Sequence, residues 1–205
     1  MSKSVIVAPG CAQAVTWSVA QKSKVSGHNG DGYLLLREGS EIRAYVIDGM
    51  GSGPEAHRAA DAGLRAAAGF QGCGLSAVFQ NVHAALKEVR GAALGGLWLD
   101  LKRMRMVWAA VGDIDGLVLR QGLTHDSLIQ KGGTLGLTFQ PPRPTEVGLK
   151  VGDVILLTTD GIRRSYRTDL PSGYTPQDYA GHVLQTHGRS SDDSLVMALQ
   201  IVAVP

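Results

Sequence analysis

The chain has 205 residues, of which 44% are hydrophobic and 19% are charged, so we expect residues 1–205 to form one domain with a sizeable core. Its formal net charge of +2 is too small for a protein that nucleic acid holds by a concentrated basic face. No apolar run approaches the roughly 20 residues that cross a bilayer, and two isolated cysteines suit a reducing compartment, so we expect a cytoplasmic protein.

Most of the predicted elements are strands. Short apolar runs with β-branched and aromatic members, bounded by Gly, Pro, Asp or Asn, are typical of strands. These runs lie at residues 5–8, 14–20, 33–37, 42–47, 92–101, 104–111, 116–120, 124–130, 146–149, 154–159 and 195–204. Many of them follow one another with only a turn between, which favours antiparallel pairing.

Three segments have helical spacing instead, at residues 54–70, 75–90 and 176–186. Pro54 and Glu55 suit the first turn of a helix, and small residues on one face of that helix permit close packing. Because the strands come in series and the helices in clusters, we predict an α+β fold. We expect a four-layer α-β-β-α sandwich, with two mainly antiparallel sheets flanked by helices.

The strand at residues 42–47 ends in a stretch with possible chemistry, Asp48-Gly-Met-Gly-Ser-Gly. A carboxylate at a strand end, beside glycines that can fold tightly, can present an acid to a metal ion. An ordinary strand-to-helix turn explains this stretch alone equally well. A nucleotide loop does not, because neither G-x-x-x-x-G-K-[ST] nor the spacing G-x-G-x-x-G is present.

Acidic residues recur at four further predicted strand ends: Asp31, Asp113, Asp160 and the pair Asp192-Asp193. Each alone is an ordinary turn residue. If these ends converge, the like charges repel and raise one another's pKa unless a cation binds there. Aspartate oxygens favour Mg²⁺ or Mn²⁺ over zinc, and the six histidines show neither H-x-H nor H-E-x-x-H spacing.

Taken in order, the motifs N-G-D, D-G-M-G-S-G, V-G-D, T-T-D-G-I and D-D-S-L-V resemble those of the metal-dependent protein phosphatases of the PPM (type-2C) family. The resemblance covers residues 29–202. D-G-M-G is similar to the SpoIIE-like bacterial branch, and a lone catalytic domain is most similar to the RsbX-type stressosome phosphatases. The resemblance implies a double β-sandwich with two Mn²⁺ or Mg²⁺ ions, and possible room for a third, at one end.

The resemblance also implies a role for each acid. Asp48 would bridge both ions, and the Gly49 carbonyl would coordinate one of them. Asp160 and Asp192 would hold the other ion, and these three aspartates would be the catalytic residues.

Three further aspartates would complete the metal site. Asp31 would bind through water or support the ligands, Asp113 matches the aspartate linked to a third, weaker ion, and Asp193 would orient its neighbour.

The sequence departs from the family pattern in two places. The arginine that grips phosphate in many members corresponds to Ser26, which leaves this role to the metals or to Lys24. Leu195 stands where we expect a small hydroxylated residue. The substrate flap is expected within residues 122–144 and is short.

The implied activity is hydrolysis of phosphoserine or phosphothreonine on a bacterial stress-signalling regulator of the stressosome or STAS type, by attack of a metal-activated water. The partner would be that phosphorylated regulatory protein, with no nucleic acid or membrane involved, and we expect a monomer. Two alternatives remain open: a catalytically silent partner-binding module of the same fold, and a metal-dependent hydrolase of small phosphoesters.

Overall fold

A computed structural model describes residues 14–121 and 125–202. In chain order the elements are β1 Val15–Lys22, β2 Asp31–Glu38, β3 Glu41–Gly49, α1 Pro54–Ala68, α2 Leu75–Ala85, β4 Ala92–Asp100, β5 Arg105–Val111, β6 Asp115–Leu119, β7 His125–Leu128, β8 Thr145–Gly148, β9 Val154–Thr158, α3 Pro176–His187 and β10 Ser194–Ile201. A short 3₁₀ helix, Arg164–Thr168, precedes α3. The strand predicted at residues 5–8 lies outside the described residues.

The second helix is shorter than predicted. It ends at Ala85, whereas the spacing of apolar residues continues to residue 90. Beyond that point Val89 N–H donates to the Leu86 carbonyl at 3.2 Å, a tighter i to i−3 bond. The last turn therefore departs from the α-helical i to i−4 hydrogen-bond pattern, although its apolar side chains still pack inward.

The strands form two five-stranded sheets in which all neighbouring strands are antiparallel. The first sheet has the order β1-β10-β9-β6-β7, and the second has the order β2-β3-β4-β5-β8. The register pairs Asp31 at the start of β2 with Asp48 near the end of β3. Two of the predicted acidic strand ends are thus direct cross-strand neighbours.

Three buried clusters define the layers. The central cluster joins both sheets, with Leu97 and Trp108 from one sheet and Leu157 and Leu199 from the other. A second cluster packs α1 and α2 on the outer face of the β2–β8 sheet. A third packs α3 and the 3₁₀ helix on the outer face of the β1–β7 sheet. This arrangement confirms the predicted α-β-β-α sandwich.

The small residues of α1 allow it to lie close to its sheet, as predicted. Ala56, Ala59, Ala60 and Gly63 are buried. A methyl group at Gly63 would come within 2.4 Å of Ile47 Cδ1. Such close packing fixes where α1 begins, and hence the path of the glycine-rich loop that follows Asp48.

The predicted flap is only partly described, because residues 122–124 lie outside the described ranges. Within the predicted flap, residues 125–128 form β7 of the first sheet. Further along, it contacts the second sheet: the Lys131 N–H donates to the Ala110 carbonyl, and the Leu135 N–H donates to the Ala92 carbonyl, both at 2.9 Å. None of the helices in the described part of the chain is both long enough and apolar enough to cross a membrane.

Candidate metal centre

The acidic motifs lie at one end of the sandwich because of strand direction. Asp160 follows β9, and Asp192 precedes β10, the antiparallel neighbour of β9. Asp48 is the next-to-last residue of β3 in the opposite sheet. Since the two sheets pack face to face, these strand ends meet across the central core.

A cavity of about 340 Å³ lies where the strand ends meet. Its lining comprises Lys24, Asp48, Met50, Gly51, Ser52, Asp160 and Asp192. The structure therefore brings together the three aspartates predicted to be catalytic, with a lysine beside them. These acids are separated by up to 144 positions in the sequence, which only the tertiary fold can bridge.

The electrostatics of this end are unfavourable without a cation. Burial raises the pKa of Asp48 to about 9, and repulsion from Asp31 and Asp160 adds to the rise. Burial likewise raises the pKa of Asp31 to about 8. The pKa of Asp160 is raised by burial and then by Asp192, whereas Arg189 opposes the rise. A divalent cation would reverse these effects, and the oxygen-only donor set fits Mg²⁺ or Mn²⁺.

Asp31 is held behind the cavity by a hydroxyl. Its side chain is 5% exposed, and its Oδ2 accepts a hydrogen bond of 2.6 Å from Thr159 Oγ1. Thr159 Oγ1 in turn accepts from the Leu195 N–H at 2.9 Å. One carboxylate oxygen of Asp31 is thus already hydrogen-bonded to Thr159, which suits the supporting role that the resemblance implies.

Asp193 contacts the backbone of the loop before β2 with both of its oxygens. Its Oδ1 accepts from the Lys24 N–H at 2.7 Å, and its Oδ2 accepts from the Gly30 N–H at 2.8 Å. The Asp193 N–H donates to Asp192 Oδ1 at 3.0 Å. Asp193 therefore fixes the loop that carries Lys24, while its backbone orients the carboxylate of Asp192.

Asp113 lies apart from the main cavity. Its side chain is 73% exposed and lies 3.7 Å from Arg164. It lines a neighbouring cavity of about 320 Å³, which also contains Asp160, Arg164 and Arg189. The two arginines are cationic groups that motif analysis did not identify, because no motif marks them and only the fold places them beside Asp160.

Two glycines in the motifs are required by close contacts. A methyl group at Gly49 would come within 2.1 Å of the Ala56 carbonyl oxygen, and one at Gly161 would come within 1.8 Å of the Asp193 carbonyl oxygen. The Gly49 N–H donates to the Gly30 carbonyl at 2.9 Å, which joins two of the motifs directly. Packing therefore constrains both Asp-Gly pairs to glycine at their second position.

Leu195 occupies the position where the resemblance leads us to expect a small hydroxylated residue, and the residue before it, Ser194, carries a hydroxyl. Ser194 is fully buried, and its Oγ donates to the Gly161 carbonyl at 3.0 Å. This hydrogen bond ties the start of β10 to the loop that follows Asp160.

The family model of Stage II sporulation protein E (SpoIIE) matches residues 38–201. A comparison with curated protein sequences found no match.

Three solved structures are similar over most of the chain. A chain from the bacterial stressosome, "a modular system that has been adapted to control secondary messenger signaling", is 25% identical with a TM-score of 0.81, and the match covers 91% of this chain and 99% of that one. RsbX in complex with magnesium is 18% identical with a TM-score of 0.83, over 94% and 98%. The PP2C phosphatase domain of SpoIIE from Bacillus subtilis is 19% identical with a TM-score of 0.77, over 91% and 63%.

Proposed function

The chain belongs to the SpoIIE family of PP2C-type protein phosphatases, and from this premise we propose that it hydrolyses phosphoserine or phosphothreonine on a regulatory protein of bacterial stress signalling. The observation that carries the proposal is the cavity lined by Asp48, Asp160 and Asp192. The similarity to a stressosome chain and to RsbX supports a stressosome or STAS-type regulator as the phosphorylated partner. We further propose that the protein acts in the cytoplasm as a monomer.

Mg²⁺ or Mn²⁺ ions would be held by Asp48, the Gly49 carbonyl, Asp160 and Asp192. Once bound, such ions supply positive charge that acidifies a coordinated water and neutralises charge on the phosphoryl oxygens. The similar RsbX structure contains magnesium, which supports this donor set as a divalent-ion site. Asp31 would support the ligands from behind, where Thr159 already fixes one of its oxygens.

Cationic side chains around the acids would bind the phosphoryl group of the substrate. Lys24 lines the cavity, and the contact of Asp193 with its backbone fixes the loop that presents it. Arg189 lies close enough to Asp160 to oppose the rise in its pKa. These groups would replace the arginine whose position is taken by Ser26. They would also favour an anionic, phosphorylated substrate over a neutral ester.

The proposal is tested by phosphate release from a phosphorylated STAS-domain protein, with p-nitrophenyl phosphate and a nucleoside triphosphate as alternative substrates. We expect release with Mn²⁺, none with EDTA, and a preference for the phosphoprotein. Asp48→Asn should lower kcat by at least about 1,000-fold, because the developing charge then loses much of its electrostatic stabilisation.

Asp61→Asn is the matched control. Asp61 is an exposed acid on α1 that pairs with Arg65, so we expect this variant to keep full activity. No turnover of any substrate with Mn²⁺ would contradict the proposal and favour a silent binding module. Faster turnover of the nucleotide would favour a small-phosphoester hydrolase.

A further inference from the structure

Two histidines and an aspartate meet on the α3 side of the sandwich, away from the cavity described above. Asp169 directly follows the 3₁₀ helix, His182 lies on α3, and His187 is the last residue of α3. One possible ligand atom from each residue lies within 4.8 Å of the others. We refer to these three residues as the histidine cluster.

The atoms of the histidine cluster have a spacing close to that of metal ligands. Asp169 Oδ2 lies 2.9 Å from His187 Nε2 and 3.4 Å from His182 Nε2. A tetrahedral ion with bonds of about 2.0–2.1 Å places its ligand atoms roughly 3.3–3.4 Å apart. His182 Nε2 also lies 3.1 Å from the Asp169 carbonyl oxygen, and a bound ion would replace this hydrogen bond. The three ligand atoms already lie within 4.8 Å of one another, so side-chain movements would suffice to bring them around one ion.

The surroundings of the cluster orient its ligands. Ser165 Oγ lies 3.1 Å from His187 Nδ1, the ring nitrogen opposite the one that faces Asp169. A proton on Nδ1 donated to this hydroxyl leaves Nε2 free to coordinate, as outer partners of metal-bound histidines commonly do. His187 is buried, whereas the side chain of Asp169 is 49% exposed, so an ion could enter from solvent and keep a water as its fourth ligand.

We propose that Asp169, His182 and His187 form a second metal site, which takes a borderline transition-metal ion such as Zn²⁺. Two imidazoles and one carboxylate suit Zn²⁺, whereas Mg²⁺ prefers oxygen ligands throughout. The site thus differs in chemistry from the oxygen-only set around Asp48, and the two sites select different ions.

An ion at the histidine cluster would join segments that lead to the acidic end. The Arg163 N–H donates to the His187 carbonyl at 2.9 Å, and the Arg189 N–H donates to the Gly161 carbonyl at 2.8 Å. The end of α3 is therefore bonded to the backbone that follows Asp160. Because the ion binds only the folded chain, it should also raise the midpoint of thermal unfolding.

The test is calorimetric titration of Zn²⁺ into the full chain, stripped with EDTA and then saturated with Mg²⁺ to occupy oxygen-only sites. We expect one equivalent of Zn²⁺ to bind and to raise Tm. His182→Gln and Asp169→Asn should abolish both effects, and Ser165→Ala should weaken binding by about 10- to 100-fold. The Asp48→Asn variant should still bind one equivalent of Zn²⁺, which distinguishes this site from the phosphatase site.

His125→Gln, on β7, is the matched control and should bind as the unmodified chain does. Each variant is first checked for an unchanged unfolding midpoint without metal, and partly exposed His182 is chosen over buried His187 for this reason. The proposal is overturned if the unmodified chain binds no Zn²⁺ in Mg²⁺, or if His182→Gln and Asp169→Asn bind it equally well. Either result would make the cluster a hydrogen-bonded network only.

Discussion

The buried carboxyl of Asp48 destabilises the metal-free protein, and its proposed role as a metal ligand explains why an acid lies there. Burial and the neighbouring acids raise its pKa to about 9, so the folded state favours its protonated form. In the unfolded chain the same carboxyl has its ordinary pKa of about 3.9. Between these values the folded state binds more protons than the unfolded state, and its stability therefore falls as the pH rises.

We predict that the metal-free protein loses stability steadily between about pH 4 and pH 9, and that Asp48→Asn reduces this loss. At pH 8 the variant should be more stable than the unmodified chain by about 1 kcal/mol or more, or about 2–4 °C in Tm. Thermal unfolding in EDTA across this pH range provides the measurement. If Asp48→Asn were less stable than the unmodified chain at pH 8, burial and repulsion among these acids would not be what destabilises the metal-free fold.

Individual acids could be identified from the sequence, but their separate environments could not. Strand-end position and an adjacent glycine singled out Asp48 and Asp160. Asp193 was also identified at a strand end, but nothing local predicts its partners Lys24 and Gly30, which lie 169 and 163 positions away. The histidine cluster was missed for the same reason, because its members follow no metal-binding spacing and meet only through the packing of α3.

At the scale of elements, the loop after β9 and the start of β10 act as one unit. Gly161 packs against the Asp193 carbonyl, and Ser194 bonds to the Gly161 carbonyl. This contact sets the separation of Asp160 from Asp192. The strands themselves were predictable from apolar runs, whereas the 3₁₀ helix Arg164–Thr168 was not, because it has neither an apolar period nor a side-chain cap.

Gly161→Ala should therefore disrupt both stability and activity. The added methyl group would lie 1.8 Å from the Asp193 carbonyl oxygen, so the two segments must separate. We expect a loss of about 1–3 kcal/mol in the free energy of unfolding and at least a tenfold fall in kcat. Denaturant unfolding and phosphatase assays measure the two effects.

Gly181→Ala is the control for this substitution. Gly181 lies in α3 with nothing within 4 Å of an added methyl group, and alanine favours the helix by about 0.5–1 kcal/mol. It should be neutral or stabilising. Equal destabilisation by the two variants would show that the close contact between Gly161 and Asp193 is not the cause of the effect.

At the scale of the whole molecule, the sandwich brings together acids from both sheets. Asp31 and Asp48 come from the β2–β8 sheet, whereas Asp160 and Asp192 flank strands of the β1–β7 sheet. The layer order could be predicted because strands in series and clustered helices permit few packings. The convergence of the acids at one end was only a conditional expectation, since the sequence does not specify the order of strands within each sheet.

The proposed function requires these acids to form one divalent-ion site. A crystal structure of the Mn²⁺-loaded protein, with anomalous scattering recorded at the manganese edge, would locate the bound ions. We expect anomalous peaks within about 2.0–2.3 Å of carboxylate oxygens of Asp48 and of Asp160 or Asp192. Peaks only elsewhere in the molecule, or none in crystals of active enzyme at saturating Mn²⁺, would contradict it.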